Sequence, residues 1–216
     1  APLSAVAQLD GHFLGNGLQF HAVDYHRYPA VPHGLGRRIE TFRLPMILLL
    51  DNYDSYTFNL AHLIAEVAGR EPLVVAAGEA DGLAERVRAG EFSHVVISPG
   101  PGTPEREEDF GAARGIVAAA AAAEIPVLGV CLGHQGLGLL AGAQVSRAPQ
   151  PRHGFVSTIS HSGEGIFAGI PQDFEVVRYH SLHIEETPGI TVHARSEDGV
   201  IQALKVDGLP HWGCLL

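Results

Sequence analysis

The sequence predicts an α/β fold, with a mostly parallel open sheet, helices on both faces and a β-rich C-terminal part. Short apolar runs recur along the chain, beginning at residues 46–50, and such runs are typical of strands buried on both faces. Segments with helical spacing alternate with these runs, which favours parallel strands joined by helices. After Val145 the helical spacing stops and β-rich segments follow one another.

The individual elements follow in chain order. The first strand is predicted at residues 46–50, and the first helix at 55–68 with Gly69 as its stop. Further strands are predicted at 73–76, 94–98 and 126–130, further helices at 83–89, 110–123 and 134–141, and β-rich segments at 155–160, 174–180, 190–196 and 200–206.

Bulk composition limits the function classes. The chain has 216 residues, 46% of them hydrophobic, which suits one α/β domain with a sizeable core. A net charge of −10 argues against nucleic acid as a partner. Two cysteines cannot build a disulfide scaffold. No apolar run reaches the roughly 20 residues that span a bilayer, and no secretory signal begins the chain. We therefore expect a cytoplasmic protein with no membrane partner.

Composition changes at Met46. Residues 1–45 are rich in Gly, His and Pro and carry four arginines and three acids, whereas residues 46–216 carry 10 basic and 21 acidic residues. The first segment shows no sustained period, so we interpret it as a leader outside the domain that is loop-like or disordered, or as non-native upstream sequence. The domain is predicted to occupy residues 46–216.

Three polar or glycine-rich loops follow three predicted strands. They read DNYDSYT (residues 51–57), SPGPGTP (98–104) and CLGHQG (131–136). Because the carboxyl ends of parallel strands share one edge of a sheet, binding sites collect there. The sequence therefore predicts a site at this edge.

Cys131 is the candidate nucleophile. It lies between Gly129 and Gly133 at a predicted strand-to-helix junction, the thiol form of a nucleophile elbow. The positive end of the following helix favours a reactive thiolate of low pKa. The alternative is a buried structural cysteine. Cys214 has no comparable context.

The other two loops are less specific. The backbone amides of Gly100 and Gly102 can point at a developing oxyanion, although Pro-Gly pairs also form plain turns. In the first loop, Asp54 or Ser55 is expected to cap the following helix. His134 is expected to be a packed helix residue.

Taken together, the motifs resemble the class I (triad) glutamine amidotransferases, which use a Cys-His-Glu site. The resemblance runs from residue 46 to 213 and rests on LLLDNYDSYTFNL, HVVISPGPGTP, PVLGVCLGHQGLG, RHG and FEVVRYHSL. Within the family, the motifs are most similar to the amidotransferase part of aminodeoxychorismate (para-aminobenzoate) synthase, with anthranilate synthase close behind. The resemblance implies a flavodoxin-like sheet.

The resemblance also implies a reaction. Cys131 would attack the side-chain amide of glutamine, giving a glutamyl thioester and ammonia, and ammonia would pass to a chorismate-binding partner subunit or fused domain. Gly100 and Leu132 would form the oxyanion hole, and Gly100, Gly102, Gln135, Ser181 and Leu182 would bind glutamine. The domain itself would need no cofactor or metal; Mg²⁺ is expected only in the chorismate-binding partner.

The family pattern W-G-x-Q-F-H-P-E is only partly present. The chain reads PHWGCLL from Pro210 onward, without the catalytic histidine and glutamate. His134, His180 and His211 do not match the position of the base. We expect a fragment or a shifted reading frame, a non-catalytic relative, or a base from elsewhere; a different cysteine hydrolase on the same scaffold is a further alternative. A strand truncated here would expose a sheet edge and lower stability.

Overall fold

The computed structural model describes residues 45–215, so the leader predicted at residues 1–45 lies outside the described residues apart from Pro45. The strands are β1 Met46–Asp51, β2 Leu73–Ala76, β3 Phe92–Ile97, β4 Val127–Val130, β5 Val145–His161, β6 Phe174–Ile184, β7 Ile190–Ser196, β8 Ile201–Val206 and β9 His211–Cys214. The helices are α1 Thr57–Ala68, α2 Leu83–Arg88, α3 Glu107–Ala122 and α4 Leu132–Leu140.

The described strands form a single mixed sheet in the order β2-β1-β3-β4-β9-β8-β7-β5-β6. Strands β2, β1, β3, β4 and β9 are parallel to one another. From β9 to β6 every neighbouring pair is antiparallel. The α/β architecture is therefore confirmed, and the β-rich segments extend the same sheet as its antiparallel half.

Both faces of the parallel half are covered. Ile47, Leu49 and Val96 point to one face and pack with Ala61 and Ile64 of α1. The alternate residues of β1 and β3 point to the other face and join the main core with α2, α3 and α4. This alternation follows from the two-residue period of a strand, and it explains why β1 is a continuous apolar run.

Several boundaries differ from the predictions. Helix α1 begins at Thr57 rather than 55, α3 begins at Glu107 rather than 110, and α4 begins at Leu132 rather than 134. The residue before α1 is Tyr56, which makes no side-chain capping bond. Asp54 accepts a hydrogen bond from the Tyr56 N–H at 2.8 Å, so it orders the turn before the helix. Ser55 makes no such bond among those described.

The expectation of an exposed edge near residue 213 was wrong. Residues His211–Cys214 form β9, which lies inside the sheet between β4 and β8. All four residues are buried, and Trp212 is only 4% exposed. β9 fills the junction between the parallel and antiparallel halves, and no edge is open there.

Candidate active site

The three predicted loops meet at the carboxyl ends of β1, β3 and β4. A Cβ atom on Gly100 would lie 2.6 Å from Asn52 Cβ and 2.8 Å from Leu132 Cδ2. The Asn52 N–H donates to Ser98 Oγ at 2.9 Å, and its Nδ2 donates to the Ser98 carbonyl at 3.1 Å. Because the backbone approaches this closely, only glycine fits at position 100 without a shift of its neighbours.

Cys131 sits in a strained elbow between β4 and α4. Its φ and ψ are 49° and −99°, and a positive φ at a residue other than glycine is uncommon and concentrated at functional sites. A Cβ on Gly129 would lie 2.4 Å from the Gly133 carbonyl, and one on Gly133 would lie 2.7 Å from the Ile97 carbonyl. Both glycines are therefore needed for the turn that presents the thiol.

The protonation state of Cys131 differs from the prediction. Burial raises the pKa of the thiol to about 11, and the nearby Asp54 carboxylate contributes to this rise. A hydrogen bond from the Leu132 backbone N–H lowers the pKa and only partly offsets these two effects. The predicted low-pKa thiolate is therefore wrong for this chain, because helix-terminus stabilisation is outweighed by desolvation and a like charge. At neutral pH the group is a thiol.

Gln135 and Leu182, two of the predicted glutamine-binding residues, are in contact. Gln135 lies in the first turn of α4, and its Nε2 donates to the Leu182 carbonyl at 3.3 Å. Ser181 is exposed, and its Oγ is paired with His153 Nε2 at 3.0 Å. The contact brings the end of β6 against the helix that follows Cys131.

Gly102 lies in the same loop as Gly100 but is exposed. Its φ is +87°, and a Cβ there would lie 2.1 Å from Asp109 Oδ2. The next amide, Thr103 N–H, donates to that same oxygen at 3.0 Å. The first turn of α3 therefore fixes the loop through Asp109.

Three histidines lie near these elements and are buried. Burial lowers the pKa of His134, His180 and His211 to about 4 in each case. His134 has no exposed surface and packs against the backbone of Gly213, as expected for a packed residue. None of the three is among the groups that shift the pKa of Cys131.

Two buried residues were not picked out from the sequence. Asn52 is 3% exposed and its Oδ1 has no hydrogen-bond partner among the described residues. Arg178 has no exposed surface and pairs with Asp198 at 2.8 Å. Asn52 lies in the motif DNYDSYT and Arg178 in FEVVRYHSL, so position in a motif was the available signal.

The described residues contain no group of three or more His, Cys, Asp or Glu side chains placed to hold a metal ion. No helix in this part of the chain is long and apolar enough to cross a membrane.

A cysteine at positive φ between two closely packed glycines, with glycine loops beside it at the edge of a mixed α/β sheet, has the backbone geometry of a nucleophile elbow. Comparison with known proteins then gives the family. The profile of the class-I glutamine amidotransferases matches residues 48–214. The chain therefore belongs to the class-I glutamine amidotransferase family.

Relatives in sequence carry two names. Aminodeoxychorismate synthase of Streptomyces griseus is 51% identical over 167 residues, which cover 77% of this chain and 22% of the relative. Anthranilate synthase component 2 of Mycobacterium tuberculosis (strain H37Rv) is 45% identical over 170 residues, which cover 77% of this chain and 72% of the relative. The chain thus spans about a fifth of the length of the first relative and most of the second.

Solved structures show the same fold. A glutamine amidotransferase of Thermotoga maritima superposes with a TM-score of 0.66 at 19% identity, covering 80% of this chain and 76% of the other. A glutamine amidotransferase of Methylobacillus flagellatus gives a TM-score of 0.61 at 21% identity, covering 79% of this chain and 68% of the other.

Proposed function

We propose that this chain is the glutamine-hydrolysing part of an aminodeoxychorismate synthase. In this proposal the Cys131 sulfur attacks the side-chain amide carbon of L-glutamine, ammonia leaves, and water releases glutamate from the thioester. Ammonia then passes to a chorismate-binding subunit or fused domain, which aminates chorismate. The proposed location is the cytoplasm.

The observation that carries the proposal is the strained elbow at Cys131, with the Leu132 amide bonded to the thiol. An amide that stabilises negative charge on sulfur is also placed beside the carbon that the sulfur attacks. The Gly100 backbone packs against the Leu132 side chain, which supports Gly100 as the second donor of an oxyanion hole. We propose that Gly100, Gly102, Gln135, Ser181 and Leu182 bind glutamine.

The identity to aminodeoxychorismate synthases, 51% and 46% in two Streptomyces species, favours that product over anthranilate. The second candidate is the anthranilate synthase amidotransferase, because its M. tuberculosis relative is 45% identical. The two candidates share the glutamine chemistry and differ in the synthase that receives ammonia.

The high pKa of Cys131 means that the proposed reaction needs a base. The Cys131 N–H donates to the Cys214 carbonyl at 2.8 Å, and Val130 is paired with Cys214 across β4 and β9. Residues that follow β9 would therefore emerge beside the thiol. In the family pattern the base comes three positions after the residue that matches Cys214 here, which fits a base delivered from this side.

A direct test compares the 216-residue chain with a variant that has His-Pro-Glu appended after Leu216. Glutamate released from L-glutamine is measured by a coupled dehydrogenase assay. The unextended chain should show little or no turnover, and the extension should raise it by about 10³-fold or more, since loss of a triad base costs up to about 10⁶-fold. Robust turnover without the extension would show that another residue is the base.

Cys131→Ser in the extended variant is the control. It should abolish glutamate release without changing the thermal unfolding curve. Unchanged turnover would refute the assignment of Cys131 as the nucleophile. An interaction module without catalysis predicts no gain from the extension and only slow, unselective labelling of Cys131 by a glutamine-like electrophile. The chorismate-binding parts of an aminodeoxychorismate synthase and of an anthranilate synthase are then added in separate reactions with chorismate, and the synthase whose glutamine-dependent amination this chain supports distinguishes the two candidates.

A further inference from the structure

Arg178 is a buried cation inside the antiparallel half of the sheet, and it makes three directed contacts. Its Nη1 donates to Asp198 Oδ2 at 2.8 Å and to Ser157 Oγ at 3.3 Å, and its Nε donates to His180 Nε2 at 3.1 Å. Asp198 is held in turn by the Ser196 hydroxyl at 2.6 Å. The guanidinium is thus fixed on one side by a carboxylate and presents its Nε–H to an imidazole.

The Arg178 contact determines the tautomer of His180. A guanidinium N–H can only donate, so the Nε2 atom of His180 must be the acceptor, and the ring proton must be on Nδ1. Burial, followed by the charge of Arg178, lowers the pKa of His180 to about 4, so the ring is neutral at pH 7. Nδ1 lies 3.0 Å from the Leu182 carbonyl, and the Nδ1–H therefore donates to it.

The Leu182 carbonyl receives a second donor. The Gln135 Nε2 approaches it at 3.3 Å from the first turn of α4. A carbonyl oxygen has two lone pairs, and these two donors use both. The Gln135 side chain is consequently oriented with Nε2 toward β6 and Oε1 as its remaining acceptor.

From these contacts we propose that Asp198, Arg178 and His180 act as positioning residues that fix the Leu182 carbonyl and, through it, the orientation of Gln135 toward the substrate. We call this set the Arg178 network. It connects the turn after β7 to the helix that carries the elbow. The inference depends on the proposed function only for the identity of the substrate, glutamine; the tautomer and the orientation of Gln135 are independent of it.

A purely structural role explains the Arg178 network less well. Arg178 is fully buried, and its Nη2 has no hydrogen-bond partner among the described residues. Gln202 Oε1, in strand β8, is unpartnered within the same part of the chain. Burying a charge with one donor unsatisfied costs free energy, and apolar side chains often replace buried ion pairs without loss of stability. Orientation of a site is the role that a directional cation fulfils and an apolar side chain does not.

The test uses a matched pair of variants in the 216-residue chain. In His180→Asn the side-chain amide N–H takes the position of Nδ1–H, so the bond to Leu182 is kept. In His180→Gln the longer amide reaches the position of Nε2, and the bond to Leu182 is lost. Binding of L-glutamine is measured by NMR titration of side-chain amide signals. We expect His180→Gln to bind about 10-fold more weakly than His180→Asn, the cost of one lost buried hydrogen bond.

A second measurement reads the tautomer directly. In the unsubstituted chain, ¹H–¹⁵N correlation spectra should show His180 as the neutral Nδ1–H form, and Arg178→Met should shift it toward Nε2–H. Arg88→Met is the control, because Arg88 pairs with Glu85 on the surface of α2, away from all of these residues. An Nε2–H ring in the unsubstituted chain, or equal affinity of the two His180 variants, would overturn the inference.

Failure of the proposed function gives a different result. If the unsubstituted chain shows no saturable binding of L-glutamine, the proposed function fails, and the Gln135 amide signal then decides the inference by itself. Faster hydrogen exchange of that amide in His180→Gln than in His180→Asn supports the Arg178 network. Equal exchange in the two variants refutes it.

Discussion

The reactivity of Cys131 is the sharpest quantity that the structure predicts. The thiol pKa of about 11, compared with the ordinary value of 9.0, leaves about one hundredfold less thiolate at pH 8. A more basic thiolate is also more nucleophilic, with a Brønsted coefficient of about 0.45, which returns roughly eightfold. We therefore expect exchange with an aromatic disulfide to be about tenfold slower at Cys131 than at an unperturbed cysteine, before steric access is counted.

The assay uses Cys214→Ala as background, so that Cys131 is the sole thiol. The bond from Cys131 N–H to residue 214 involves the backbone carbonyl and is retained. Exchange rates are measured from about pH 6 to 10.5, and the same variant unfolded in urea is the reference. The exchange rate of the folded chain should still rise about tenfold per pH unit near pH 10, whereas the exchange rate of the unfolded chain should level off above about pH 9.

Asp54→Asn tests the cause of the shift. The variant removes the carboxylate that raises the thiol pKa, so exchange below about pH 9 should become faster, but by less than about tenfold because burial is the larger cause. Asp81→Asn, at an exposed position, is the matched control. A folded rate that levels off near pH 7, or no response to Asp54→Asn, would refute the electrostatic reasoning.

Three further predictions concern stability, measured as urea midpoints. Gly129→Ala should lower the free energy of unfolding by about 3 kcal/mol, because the new Cβ meets the Gly133 carbonyl. Its control, Gly115→Ala at an exposed position of helix α3, should raise the free energy of unfolding by about 0.5–1 kcal/mol. Equal effects of the two substitutions would contradict the close packing of the elbow. Trp212→Ala should lower the free energy of unfolding by about 3–5 kcal/mol, because Trp212 is buried. Phe58 is 63% exposed, so Phe58→Ala should lower it by less than about 0.5 kcal/mol. The reverse order would place β9 outside the core. Four buried histidines have pKa values of about 4 in the folded chain against 6.5 in the unfolded chain: His94, His134, His180 and His211. Because the unfolded chain binds protons first as the pH falls, the free energy of unfolding should be full above pH 6.5 and decline toward pH 4, by at most about 3 kcal/mol for each histidine. A flat profile would show that the rings are hydrated.

The sequence anticipated those strands whose signal is local. β2 and β7 have the predicted bounds, because β2 is a short apolar run, LVVA, that directly follows Pro72, and β7 is bounded by turn residues. The first ten residues of β5 were missed because Pro149 and Pro151 argue against a strand. The structure accommodates them through irregularities in the β5–β6 register between Arg147 and Arg152 and between His153 and Phe155.

The site was predictable where topology alone determines it. Parallel order brings the loops at Gly100 and Cys131 to one edge whatever packs around them. The thiol pKa was not predictable, since it depends on how closely Asp54 and the surrounding residues enclose the sulfur. The pairing of Arg178 with Asp198 joins residues 20 apart in different strands and turns, and no local pattern encodes it.

The place of β9 in the sheet sets the order in which the molecule can be completed during synthesis. Strand β4 is made early, yet one of its edges has no neighbour until His211–Cys214 has left the ribosome. Until then the parallel and antiparallel halves of the sheet each have an unpaired edge, and unpaired strand edges make nascent chains prone to aggregation. The Cys131 N–H also gains its Cys214 acceptor only at that moment, so among the described elements the elbow gains its last backbone support only when β9 joins the sheet.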